Sequence, residues 1–191
     1  MQIVARCWHH ICSFVAKTPH IMRHLYAILM AAILTTASAC KAQSINTSTV
    51  DNLDVKRYMG RWYEIARYDH SFERNMERCE AFYTLEPDGK IAVRNSGIDM
   101  RTGLLRITDG KAKLGRRPGQ LRVSFFLFFY SDYNILALGK DYDWALVGSK
   151  SPKYLWILSR TPNLPESTIE HILSIASERG YDTDNLIWVR Q

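Results

Sequence analysis

The sequence predicts an all-β domain, an antiparallel sandwich or barrel, behind an N-terminal export segment. Short runs rich in aromatic and β-branched residues follow one another between residues 60 and 160. Turn-forming sequences such as EPDG (86–89) and GRRPG (115–119) separate them. Regularly spaced short strands of this kind are typical of antiparallel sandwiches and barrels.

Eight strands are predicted in chain order. The first is GRWYEIARY (60–68), and CEAFYTL (79–85) and KIAVRNSG (90–97) form a hairpin across the EPDG turn. The other five are LLRITDGKAKL (104–114), QLRVSFF (120–126), NILALG (134–139), WALVGS (144–149) and YLWILSR (154–160). The aromatic run FLFFYSDY (126–133) is expected to be a loop between the fifth and sixth strands.

One helix follows the strands, within PESTIEHILSIASERG (165–180). Ile169, Ile172, Leu173 and Ala176 form a single apolar stripe, so the helix is expected to pack on the outside of the sheet. NLIWVR (185–190) is predicted to be a short final strand.

The first 39 residues read as a secretory signal peptide. They contain three basic residues and no acidic one, an apolar run at 25–34, and the small residues TTASA before Cys40. Met22, which precedes a short basic stretch, is an alternative start of translation. The predicted domain organisation is a signal peptide at 1–39, a lipidated cysteine with a flexible tether at 40–53, and one domain at 54–191.

Cys40 is the predicted lipidation site. ASAC (37–40) resembles a bacterial lipobox, although the same residues also fit an ordinary A-x-A cleavage site. Lipidation would place the protein at the outer membrane, facing the periplasm, because Lys41 stands where an aspartate would retain it at the inner membrane. Ordinary cleavage would leave a secreted or periplasmic soluble protein. The polar tether would reach about 40 Å when extended.

Charge and cysteine content exclude two classes of protein. Residues 1–39 hold three of the 25 basic residues and none of the 19 acidic ones, so the exported part carries a net charge of about +3. No basic stripe is present, which argues against nucleic acid as a partner. Beyond residue 39 only Cys40 and Cys79 occur, too few for a disulfide scaffold.

Three motifs resemble those of the lipocalin family, and the resemblance covers residues 51–191. YMGRWYEIARYDHSFE carries the G-x-W signature at Gly60 and Trp62, KDYDWALV contains Asp141 and Tyr142, and YLWILSRTP contains Arg160. The sequence is most similar to bacterial outer-membrane lipoprotein lipocalins and, among animal proteins, to apolipoprotein D. The resemblance implies an eight-stranded up-and-down barrel, closed at one end, that holds a hydrophobic ligand.

Strand parity predicts where the motifs lie. In an up-and-down barrel every second loop lies at the same end, so Gly60, Trp62, Asp141, Tyr142 and Arg160 gather at the closed end. Arg160 is expected to lie over the Trp62 ring as a cation–π pair. These residues are therefore interpreted as structural.

The same parity places aromatic loops at the open mouth. Phe72, Met76, Phe128 and Phe129 are predicted to form a portal for acyl chains or a face that touches the membrane, where aromatic residues are favoured. The alternative is that Phe128 and Phe129 fold inward as a lid or pack on neighbouring loops.

Alternation along the strands predicts the residues that line the interior and bind the ligand. They are Glu64, Ala66, Val93, Asn95, Leu121, Val123, Phe125, Tyr154, Trp156 and Leu158. The large rings favour a narrow slot for one acyl chain over a cup for haem or bilin, or they fill the barrel themselves. Glu64 and Asn95 either orient a headgroup or bond each other.

The function predicted is that of a membrane-anchored carrier of fatty acids or lysophospholipids, serving envelope lipid storage, transport or maintenance. No catalytic motif, cofactor site or metal-ligand cluster is found in the sequence, so no enzyme is predicted. Two alternatives remain: an enzyme or antioxidant that uses Cys79, and a purely structural envelope lipoprotein. A homodimer formed through the aromatic rim is left open.

Overall fold

The computed structural model describes residues 44–191. The predicted signal peptide, the alternative start at Met22 and the predicted lipidation site Cys40 lie outside the described residues. No helix within the described part is long and apolar enough to cross a bilayer.

The described chain contains nine strands and two α-helices. The strands are β1 (Gly60–Tyr68), β2 (Met76–Leu85), β3 (Ile91–Asp99), β4 (Leu104–Leu114), β5 (Gln120–Phe126), β6 (Phe129–Leu138), β7 (Trp144–Gly148), β8 (Leu155–Ser159) and β9 (Leu186–Trp188). The helices are α1 (Val55–Tyr58) and α2 (Glu166–Glu178), and a short 3₁₀ helix (Thr183–Asn185) precedes β9.

The strands form a closed antiparallel barrel. Strands β2 to β8 follow one another in sequence order, β8 pairs with β1, and β1 pairs back to β2. This confirms the predicted eight-stranded up-and-down barrel. Within β1, only Gly60–Tyr63 pairs with β2. The later part of the strand, Ala66–Tyr68, pairs with β9.

Helix α2 packs on the outside of the barrel, as its single stripe predicts. Ile172 and Ala176 are fully buried and belong to a cluster with Ala66 of β1, Leu146 of β7 and Ile157 of β8. A second cluster, around Trp62 and Tyr58, fills the barrel interior near the start of β1. The barrel wall thus separates two cores.

The aromatic run after β5 forms a tight hairpin instead of the expected long loop. β6 already begins at Phe129, so only Leu127 and Phe128 connect the strands, and Phe126 pairs with Phe129. Aromatic residues favour strand pairing, so β6 begins five residues before its predicted first residue, Asn134. Leu127 adopts a positive φ of 48° to close the turn.

Helix α1 was not predicted. Four residues are too short for a helical period to show in the sequence. The Asp54 side chain caps it by accepting hydrogen bonds from the backbone N–H groups of Lys56 and Arg57, at 3.0 and 3.2 Å. The helix brings Tyr58 into the barrel interior.

The described part of the predicted tether, residues 44–53, lies against the barrel and is not a flexible linker. Asn46 N donates to Arg179 O at the end of α2, and Val50 N donates to Ile135 O of β6. Ile45 packs on the outer core, whereas Val50 and Leu53 pack on the inner one. Burial of these three apolar side chains offsets the entropy of ordering a polar segment.

Candidate ligand cavity and closed end

A cavity of about 790 Å³ occupies the barrel between the inner core and the open end. Eight of the ten residues predicted to face the ligand line it: Glu64, Val93, Asn95, Val123, Phe125, Tyr154, Trp156 and Leu158. This volume lies in the range of small-molecule sites, so the barrel is not filled by its own side chains.

Ala66 does not line the cavity, and that prediction is wrong. A bulge in β1 shifts the register so that Glu64 pairs with Leu158 but Ala66 pairs with Ile157. Ala66 therefore points outward, into the core beneath α2. The following residue, Arg67, is buried in its place. A bulge moves every later side chain of a strand to the opposite face.

Leu121 faces the interior but lies below the cavity, in the inner core. Three tyrosines, Tyr58, Tyr83 and Tyr133, form the floor of the cavity above Leu121. The Tyr133 hydroxyl lies 2.6 Å from that of Tyr58 and 3.2 Å from that of Tyr83. Burial raises the pKa of Tyr83 to about 12, so this floor is neutral and internally hydrogen-bonded at physiological pH.

Arg160 closes the opposite end of the barrel. Its guanidinium carbon lies 3.8 Å from the centre of the Trp62 ring. Its Nε, Nη1 and Nη2 donate to the backbone oxygens of Tyr142, Arg61 and Arg57, at 3.2, 2.6 and 2.8 Å. One side chain thereby joins α1, β1 and the β6–β7 loop, and the predicted cation–π pair is present.

The other closed-end residues support this plug to different extents. Gly60 adopts a φ of +91°, and a Cβ there would lie 3.5 Å from Arg160 Nη1. The Tyr142 hydroxyl accepts a hydrogen bond from Asp54 N at 2.8 Å, and its ring lies under the Arg57 guanidinium. Asp141 lies in the same loop, but its side chain is exposed to solvent.

A polar patch, formed by Glu64, Arg67, His70 and Glu73, lies beside the cavity. Arg67 Nη1 donates to Glu64 Oε1 at 2.6 Å, and Nη2 donates to the Glu73 backbone oxygen at 2.7 Å. Trp156 Nε1 donates to Glu73 Oε2 at 3.2 Å. Glu64 is therefore paired with Arg67, not with Asn95 as one of the two hypotheses held.

Electrostatics in the patch are governed by burial. The pKa of Glu64 is raised well above its usual value, first by burial and then by the nearby Glu73 carboxylate, while Arg67 opposes the shift. Unbroken alternation through β1 would point Arg67 outward, so the sequence does not predict it in the patch; the bulge places it there. Glu73 lies in the loop before β2, where no sequence pattern predicts the direction of a side chain.

Cys79 lies on the cavity wall and is buried. Burial, followed by the charge of Glu64, raises the pKa of its thiol. A Cβ on Gly97 would lie 3.0 Å from its sulfur, so the thiol is packed against the neighbouring strand. A neutral, enclosed thiol is a poor nucleophile.

The predicted portal residues lie at the open end, in different environments. Phe72 stacks on His70 with 4.0 Å between ring centres, and Phe72, Met76 and Phe129 border the cavity. Phe128 does not border it and is 83% exposed. Together, Phe126–Phe129 form an exposed apolar hairpin tip, so Phe128 and Phe129 do not fold inward as a lid.

No group of three His, Cys, Asp or Glu side chains within residues 44–191 is arranged to hold a metal ion.

Comparison with known proteins identifies the family. The Lipocalin-like domain family matches residues 53–191. The outer membrane lipoprotein Blc of Escherichia coli strain K12 is 41% identical over 169 residues, which cover 87% of this chain and 96% of that protein. Apolipoprotein D of Mus musculus is 36% identical over 148 residues, covering 71% of this chain and 76% of that protein.

Solved structures agree on the fold. Insecticyanin from the tobacco hornworm Manduca sexta matches with a TM-score of 0.65 at 19% identity, over 76% of this chain and 85% of that chain. The closed barrel, the Arg160–Trp62 plug and the family match all lead to one conclusion: the chain belongs to the lipocalin family.

Proposed function

We propose that this protein binds long-chain amphiphiles, fatty acids or lysophospholipids, in its barrel and carries them as a membrane-anchored lipocalin. The observation that carries the proposal is a cavity of about 790 Å³ that is open at one end and sealed by Arg160 at the other. Each buried methylene would contribute about 0.8 kcal/mol, so one long chain supports micromolar binding after ordering costs.

The proposed location is the outer membrane, through acylated Cys40, in the service of envelope lipid storage, transport or maintenance. Support comes from relatives such as the lipoprotein Blc of Escherichia coli, which matches over most of both chains. Ile45 packs on the outer core and Asn46 N donates to Arg179 O, so contact with the barrel begins five residues after Cys40. A chain of that length reaches at most about 18 Å, which would keep the barrel close to the bilayer.

The hairpin tip is the proposed portal. Phe126, Leu127, Phe128 and Phe129 are exposed together at the open end, where a ligand would enter. Clustered exposed aromatic residues are favoured at the boundary between water and lipid. The tip would touch the bilayer and offer an apolar path into the cavity.

Binding is tested by titration of the mature chain carrying Cys40→Ser, delipidated, with palmitate and with a lysophospholipid. Tryptophan fluorescence should change and saturate near one ligand per chain, because Trp156 lies on the cavity wall. Val93→Phe should weaken binding about tenfold by filling the cavity above the floor. Ala92→Phe, on the opposite face of the same strand, is the matched control and should bind normally.

Absence of saturable binding in a folded sample would overturn the proposal and favour a structural lipoprotein. The enzyme hypothesis finds no support at Cys79, whose thiol is buried and has a raised pKa.

A further inference from the structure

Three basic side chains lie on the outer face of the barrel, behind the exposed hairpin tip. They are Lys111 and Lys113 of β4 and Arg122 of β5, and together they are called the basic face. Their neighbours along both strands belong to the inner core, so alternation points the three side chains outward. Lys113 pairs with Arg122, and Lys111 pairs with Ser124, two residues before the tip. Since a strand rises about 3.3 Å per residue, the basic face lies about 7–13 Å from Phe126.

The basic face carries a net positive charge. Arg122 Nε lies 3.5 Å from Asp132 Oδ1. Within the described residues, 44–191, neither lysine of the face lies in an ion pair. Two neighbouring ion pairs are each neutral: Arg94–Asp109 and Lys90–Asp88. Three cations and one carboxylate give the face a formal charge of +2.

Tyr130 holds two of these cations together beside the tip. Like charges directly opposite one another on paired strands repel, as Lys113 and Arg122 must. Lys113 Nζ lies 4.4 Å from the centre of the Tyr130 ring, which offsets part of this repulsion. Arg122 Nη2 donates to the Tyr130 backbone oxygen at 3.0 Å. A surface that keeps like charges together next to an exposed apolar patch is typical of a site for an anionic partner.

We infer that the hairpin tip and the basic face together dock on an anionic phospholipid bilayer. The tip enters the interfacial region, and Lys111, Lys113 and Arg122 contact lipid phosphates. This inference rests on the proposed membrane contact of the tip and adds the class of lipid that the surface recognises.

The order of residues along the hairpin matches the layers of a bilayer surface. The tip, Phe126–Phe129, is apolar and exposed. Tyr130 follows, and tyrosine is favoured at the boundary between water and lipid. Interfacial helices are buried by about 5–10 Å, and the same depth for the tip would bring Lys111 to the level of the phosphates. Long basic side chains extend their charged ends toward that level.

Charge favours this partner over a second copy of the chain. A symmetric dimer through the tip would place the same surface of both copies in contact and bring two basic faces together. Like charges facing one another across an interface are costly. An anionic bilayer instead attracts each cation that lies near its surface.

The test measures flotation of the mature chain carrying Cys40→Ser with two kinds of vesicle. One contains phosphatidylcholine alone, and the other contains equal parts of phosphatidylcholine and phosphatidylglycerol. At low salt, the chain should partition at least about tenfold more strongly to the anionic vesicles. This preference should disappear at high salt, because screening shortens the range of the attraction. The salt dependence is measured without any substitution in the basic face.

Two double variants assign the effect to the basic face. Lys111→Gln with Lys113→Gln should lower partition to anionic vesicles about 25-fold, which is about fivefold for each charge, and leave partition to neutral vesicles unchanged. Arg116→Gln with Arg117→Gln removes the same charge from the exposed β4–β5 turn at the closed end. This control should keep the anionic preference, because the turn lies farther from the tip than the screening length of about 10 Å at 0.1 M salt. None of the four residues borders the cavity, so both variants should bind palmitate normally.

Each outcome decides the inference. Equal partition of the unsubstituted surface to both vesicles overturns it, and so does an anionic preference that survives Lys111→Gln with Lys113→Gln. An equal loss in the control variant also overturns it, since net charge alone would then explain the binding. Self-association without lipid that Phe128→Ser abolishes, together with no vesicle binding, would assign the surface to a second copy instead. Palmitate titration of the same samples reports the carrier function separately, so its failure is distinguished from failure of the inference.

Discussion

Replacement of Arg160 by methionine should destabilise the barrel by about 3 kcal/mol. The cation–π contact with Trp62 at 3.8 Å contributes about 1 kcal/mol, because the side chain is partly exposed. The three hydrogen bonds to backbone oxygens of Tyr142, Arg61 and Arg57 contribute about 1 kcal/mol each at most. Water can reach some of these oxygens after the substitution, which lowers the total.

The assay is urea unfolding followed by far-UV circular dichroism. With a slope of about 2 kcal/mol per molar urea, Arg160→Met should lower the midpoint by about 1.5 M. Arg160→Lys keeps the charge but not the planar fork, so it should lose about half as much. Arg94→Met breaks an exposed ion pair on the outer face and should cost less than about 0.5 kcal/mol. If Arg160→Met costs no more than Arg94→Met, the plug does not stabilise the fold.

Three further results are expected. Asp99 accepts hydrogen bonds from Arg101, which hold its pKa at about 2. Its contribution to stability should therefore be present above about pH 4 and lost as the pH falls towards 2. Asp99→Asn should reduce the loss of stability between pH 4 and pH 2 in urea unfolding. Cys79 should react with a thiol reagent only after unfolding, and rapid labelling of the native protein would contradict its burial. Phe128→Ser should reduce flotation of the Cys40→Ser chain with phospholipid vesicles. Ligand affinity should stay unchanged, because Phe128 does not border the cavity. Unchanged flotation would exclude the hairpin tip as the membrane contact.

Local pattern and strand parity were sufficient to predict the strands and the closed end of the barrel. The eight strands follow from turn-separated aromatic runs, and the Arg160–Trp62 contact follows from counting loops around an up-and-down barrel. Alternation identified most of the cavity wall, because side chains on an unbroken strand must point to opposite faces in turn.

Two features that depart from regular alternation and local composition could not be predicted from the sequence. The bulge in β1 points Ala66 outward and buries Arg67, but no residue of EIAR (64–67) is a type that predicts a bulge. The composition of the polar segment before α1 predicts a linker, but Ile45 and Val50 pack against apolar residues of the barrel. Such contacts depend on which distant residues are near, and composition does not carry that information.

By itself the sequence determined the family, the order of strands, the outer helix and the closed end, because periodicity and motif spacing are local properties of the chain. Only the tertiary structure decided the chemistry of the cavity. Glu64 and Arg67 are three residues apart and would lie on opposite faces of a regular strand, but the bulge places both inside, where they pair at 2.6 Å near Glu73. Charge inside a barrel is set by register and burial, and both are properties of the assembled fold.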